Sequence, residues 1–131
     1  MSRLEEVTNY VYSFEKLIVW QKSIELAKQI YSITSNFPKE EIYGLSSQIR
    51  RAVISISSNI AEGYVKSSSK EQIRFSEIAY GSLMEVLNQI IIAKEIGYVS
   101  EANYLSIRQS IEEISRMLNA LTKSISERSE W

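Results

Sequence analysis

The chain has 131 residues, 44% hydrophobic and 24% charged, with 15 basic against 16 acidic side chains and a formal net charge of −1. That suits one domain with a real core, and it lacks the basic excess of a dedicated nucleic-acid binder. Neither cysteine nor histidine occurs, which excludes disulfides, thiol nucleophiles, thiolate or imidazole metal sites and histidine general bases.

The opening stretch MSRLEEVTNY contains acids and no apolar run, so no secretory signal is expected. No segment approaches the roughly 18 apolar residues of a membrane span, and the expected location is cytoplasmic. Residues 1–13 read as an N-terminal extension that Tyr10, Tyr12 and Phe14 could dock. The first helix is predicted over about 15–36, where Leu17, Trp20, Ile24, Ala27 and Tyr31 recur at steps of three and four. A second stripe follows Val19, Leu26, Ile30, Ile33 and Phe37, and Pro38 closes the block.

The second helix is predicted over about 44–63, with Leu45, Ile49, Ala52, Val53, Ile56 and Ile60 in one arc. Its far side carries Ser47, Arg51, Ile54, Ser55, Ser58, Ala61 and Glu62, mostly small residues that would let a neighbour approach. Gly63 reads as a stop signal, as does Gly97 after the third block, because glycine adopts the left-handed conformation that ends helices. Gly81, inside the third block, reads as a point of close backbone approach.

The third helix is predicted over about 69–96, behind two overlapping capping boxes, Ser68 with Glu71 and Ser69 with Gln72. Phe75, Ala79, Ser82, Leu83, Val86, Ile90 and Ala93 form its main face. Ile73, Tyr80, Met84, Leu87 and Ile91 form a second strip. The fourth helix, about 101–127 with Ser100 as N-cap, has a single seam from Tyr104 through Ile111 and Leu118 to Ile125. Residues 128–131 read as a tail, leaving 14–127 as the bundle domain. Helices of similar length with short connections imply an all-α, antiparallel up-down-up-down four-helix bundle.

Helices one and three thus carry two apolar strips each and helix four only one. A solitary bundle of this size would expose part of the surplus, and exposed apolar patches mark interaction sites. Leu26, Ile30, Ile33, Ile73, Tyr80, Met84 and Ile91 are therefore the candidate subunit interface, with a second copy of the chain as partner. Trp20 lies on an inner stripe and reads as core.

The segments LIVWQKSIELAKQIYSITSNFP, GLSSQIRRAVISISSNIAEG and RFSEIAYGSLMEVLNQ, in this order and spacing, resemble the four-helix bundle family associated with intervening sequences of 23S ribosomal RNA genes. Relatives of that family include accessory proteins of diversity-generating retroelements. The resemblance spans about residues 14–98. It implies a small bacterial bundle that assembles as a ring, typically a homopentamer, and in the retroelement branch a basic RNA-binding partner of a reverse transcriptase. Two positions depart from the pattern: Ser57 stands where proline is usual, implying a straighter second helix, and Ser76 stands where leucine is usual. The net charge of −1 also departs from the basic branch.

Arg50, Arg51, Lys66 and Arg74 are the candidate RNA or anion contacts. Arg51 equally suits ion pairs across helices or subunits, with Glu62, Glu77 or Glu85 as partner, because its planar fork grips a carboxylate at two points. The same glutamates offer little for acid–base or metal chemistry without histidine beside them, since the Glu-x-x-His signature of di-iron bundles is absent. The GYVKSSS loop lacks the spaced glycines and Gly-Lys-Ser/Thr of a phosphate loop. The sequence therefore points to a non-catalytic homo-oligomer acting as scaffold or accessory factor, or alternatively to a protein that binds RNA or a ribonucleoprotein. No cofactor, small-molecule substrate or membrane contact is expected.

Overall fold

The computed structural model describes residues 9–129 and contains four long helices. We label them α1 (Ile18–Thr34), α2 (Leu45–Tyr64), α3 (Ser69–Glu95) and α4 (Glu101–Ser129). Short 3-10 turns at Ser13–Lys16 and Lys39–Glu41 precede α1 and α2, so the first helix starts later than its periodicity suggests. No strand occurs among the described residues.

Each helix packs against the next in sequence, and α4 closes the circle against α1. Cross-helix contacts give the directions. Ser55 shares a hydrogen bond with Ser82, and Gly63 faces Phe75. Ser76 pairs with Thr122 and Tyr80 with Ser115. Lys22 meets Glu113, and Gln29 meets Ser106. In each of these three pairs of helices one number rises as the other falls, as antiparallel neighbours require. Chain length dictates the same: a connection such as 65–68 reaches at most about 14 Å, while the 27-residue α3 is about 40 Å long.

The core is a column of branched aliphatic side chains, among them Leu26, Ile30, Ile49, Ile56, Leu83, Ile90, Ile107, Ile114 and Leu118, all essentially inaccessible. On α1 the core takes Val19, Leu26 and Ile30 from one stripe and only the small Ala27 from the other. Trp20 lies at the flank, half-buried against the core, with the ring of Phe14 edge-on at 5.2 Å. Phe14 therefore docks the first turn, while Tyr10 and Tyr12 stay exposed and pack on each other.

The helix ends follow local chemistry. Ser68 Oγ accepts from the amide of Glu71, and Ser100 Oγ from that of Asn103, so these two N-caps form, while Ser69 opens the helix and Gln72 donates instead to Lys66 O. Gly97, at φ 88°, ends α3 in a Schellman arrangement, with Tyr98 N donating to Ala93 O and Gly97 N to Lys94 O. Neither Gly63 nor Gly81 has the role its position suggested. Gly63 is still helical, and a Cβ there would lie 2.7 Å from Cβ of Phe75, so it is the point of closest approach. Gly81 is exposed, with nothing within 4 Å of a Cβ.

The 35–44 connection is tied down by Tyr98, whose hydroxyl donates to Glu41 Oε2 at 2.9 Å while Glu41 Oε1 accepts from the amide of Leu45. The Glu41 hydrogen bond, then partial burial, raise the Tyr98 pKa above its usual 10.0. A raised tyrosine pKa contributes stability that is complete below pH 10 and fades as pH climbs through the folded value. Tyr98→Phe is thus expected to weaken the fold at neutral pH and to lose less stability on going alkaline, read as urea midpoints between about pH 7 and 11. Lys94, raised by its bond to Glu101, contributes in the same direction in both proteins and cancels in the comparison.

Candidate functional site

The bundle interior claims part of the surface that the sequence assigned to subunit contact. Leu26 and Ile30 are 0% exposed and sit in the core, so they are not available to a second copy. Their stripe points inward because α2 and α4 flank α1 on that side, a phase that three-four spacing alone leaves open. Ile33, Tyr80, Met84 and Ile91 are half-buried at the flanks and pack against the core, and Ile73 is half-buried near the start of α3. Helix pairs thus absorb most of the second strips.

The apolar side chains left outside are different ones. Along the outer surface of α3, Ile78, Gly81, Glu85, Asn88 and Ile92 recur at steps of three and four and are all exposed, Ile78 at 39% and Ile92 at 43%. Ile96 extends the row. On α2, Ile54 is exposed among small residues, and in the connection before it Tyr43 is 95% exposed. Their signal in the sequence was faint, because an isoleucine two or three residues off the main arc also fits the edge of a core.

Between α2 and α3 an open depression is lined by Tyr43, Gln48, Arg51, Ser55 and Glu85. Arg51 is exposed and makes no ion pair among the described residues, and neither do Glu62, Glu77 or Glu85. The intrachain pairs expected of Arg51 are therefore not formed. Glu85 lies on the same depression without reaching it, and Glu62 is three turns further along α2, about 16 Å away. No group of three acidic residues gathers into a metal-ligating cluster among the described residues.

The four candidate anion contacts do not form one patch. Arg50 is committed between helices: its Nε donates to Thr34 Oγ1 at 2.8 Å, and its guanidinium lies 4.5 Å over the ring of Tyr31. Lys66 and Arg74 lie beyond the other end of α2, about 20 Å from Arg51. Both sit over the ring of Phe75, at 5.1 and 4.9 Å, and Arg74 also pairs with Glu71.

The family described as 23S rRNA-intervening sequence protein matches residues 15–120, from the turn before α1 through most of α4. The chain belongs to this family. A solved structure similar to it is a protein of unknown function from the S23 ribosomal protein family of Bacteroides thetaiotaomicron. The two chains share 26% identity at a TM-score of 0.75, covering 81% of this chain and 99% of the other. The comparison with curated proteins found no match. Against the family pattern, the departures at positions 57 and 76 are accommodated by hydrogen bonds. Ser57 donates to Ile54 O within an uninterrupted α2, and Ser76 bonds Thr122 across to α4. No helix among the described residues is long and apolar enough to cross a membrane.

Proposed function

We propose that this member of the 23S rRNA-intervening sequence family works as a non-catalytic homo-oligomer, a scaffold or accessory factor of the cytoplasm, with five copies in the ring that the family resemblance implies. The observation that carries the reading is the row of exposed isoleucines on α3, Ile78 and Ile92, which a lone protomer leaves in water. Arg51 and Glu85 add to it. They have opposite charges, line one depression and lack ion-pair partners among the described residues, so a neighbouring copy supplies each with a counter-charge. A ring needs two different surfaces in contact, and the α2–α3 outer face is one of them.

Sedimentation velocity at micromolar concentration tests this directly. The native chain is expected to run well above its 15.1 kDa monomer mass. The double variant Ile78→Glu, Ile92→Glu is expected to run as a monomer with unchanged helical circular dichroism, its association weakened at least about thirtyfold. A native chain that sediments as a monomer sinks the proposal.

The second reading, an RNA or ribonucleoprotein partner, is favoured by Lys66 and Arg74 lying over Phe75 at the α2–α3 turn, since repetition around a ring multiplies a weak basic patch. RNA binding that falls steeply with salt and is lost in Lys66→Ala, Arg74→Ala would support it.

A further inference from the structure

The start of α2 forms a recess of about 360 Å³ with the end of α1, and the charge around it is of one sign. Lys39 and Arg50 are its two charged lining residues, and no carboxylate lines it. The nearest acid in sequence, Glu41, has one oxygen on the amide of Leu45 and the other on the hydroxyl of Tyr98. Lys39 makes no ion pair among the described residues. Arg50 is held in place by Thr34 and Tyr31 through its Nε and Nη2, which leaves Nη1 without an acceptor among the described residues.

Four hydroxyls also line it; those of Thr34 and Ser35 bond back to carbonyls of α1, and Ser46 and Ser47 supply the other two. Ser46 is 7% exposed, yet its Oγ has no hydrogen-bond partner among the described residues, unlike Ser23 and Ser57, which bond back to helix carbonyls. That hydroxyl is not sealed from solvent: it lines the recess and stays open to a ligand there. Ser47 beside it is also unpartnered. Both stand in the first turn of a 20-residue helix, where amides lack intrahelical acceptors. Glu41 satisfies the amide of Leu45 and Gly44 O that of Gln48, so the amides of Ser46 and Ser47 remain as donors. The positive end of the helix dipole adds to the same field.

We propose that this recess binds a phosphate group, with Lys39 and Arg50 as counter-charges and Ser46 and Ser47 as hydroxyl and amide donors. Two cations and several donors suit a tetrahedral oxyanion better than a carboxylate, which has two oxygens in one plane. The same chemistry is offered by a free phosphate monoester and by the phosphodiester of an RNA strand. The site lies between α1 and α2, apart from the outer row of α3, so it stands or falls independently of self-association.

The test follows the amide resonances of Ser46 and Ser47 by TROSY NMR in the full chain. Sodium phosphate is titrated against sodium chloride at matched ionic strength. Saturable shifts with phosphate and not with chloride are expected. Lys39→Gln is expected to weaken binding about tenfold. Ser46→Ala removes a hydroxyl that bonds nothing in the chain, so it is expected to keep the melting temperature and still weaken binding severalfold. Uridine monophosphate shifting these amides where uridine does not assigns the monoester. An unphosphorylated oligoribonucleotide shifting them assigns the diester. Equal shifts with chloride, uridine matching its monophosphate, or affinity unchanged in both variants would overturn the site.

Discussion

Gly63→Ala is expected to destabilise the bundle by about 1–3 kcal/mol, the usual cost of overpacking a close contact. An alanine in a helix interior ordinarily stabilises by about 0.5–1 kcal/mol over glycine, so the expected sign runs against propensity. Packing decides it. The new methyl would sit 2.7 Å from Cβ of Phe75 and 3.6 Å from the carbonyl of Gln72. Cβ of Phe75 cannot rotate away as the end of a flexible side chain would, so α2 and α3 must part. Gly81→Ala is the matched control, expected to stabilise by about 0.5–1 kcal/mol because its methyl enters open space. Urea unfolding of the two variants beside the native chain reads both signs. At Gly81 the same variant also reports on the outer surface of α3: a stabilised fold with lost self-association would place a neighbouring chain against that glycine.

The two glycines, one at the close contact expected of the other, show where sequence reading stops. Three-four spacing located four helices, and Ser68, Ser100 and Gly97 marked ends that the backbone adopts, because caps and stops are local chemistry. Gly63 was misplaced because a glycine near a helix end looks the same whether it stops the helix or admits a neighbour. The distinction depends on Phe75, a residue of another helix. α1 poses the same problem with its two stripes: period is a property of one helix, phase a property of four. The intrachain ion pairs of Arg51 do not form for a third reason. Charge and helix face were readable, but a bridge of 4 Å also requires side-chain reach and orientation across the α2–α3 depression. The recess around Ser46 was not legible, since it assembles Lys39, Ser46 and Arg50 from a connection and a helix start that carry no phosphate-loop motif.

Ile30→Ala separates core from interface with the largest effect. Ile30 is 0% exposed, and truncating a fully buried isoleucine is expected to cost about 2–5 kcal/mol, the transfer energy of the lost carbons plus the cavity left behind. A domain of this size has only about 5–15 kcal/mol to lose, so a drop in urea midpoint should be plain. Self-association complicates a single measurement, because assembly raises the apparent stability of anything it holds together and makes it concentration-dependent. The decisive comparison therefore adds Ile30→Ala to the Ile78→Glu, Ile92→Glu chain. If Ile30 is core, the loss is the same in both backgrounds, since the cavity forms inside each protomer and the outer α3 substitutions are too distant to couple. If Ile30 served a subunit contact, its loss would vanish once the subunits are apart. Equal losses with separate effects on mass would place the interior stripe of α1 and the exterior row of α3 in different physical roles, one holding the helices together and the other holding the copies together.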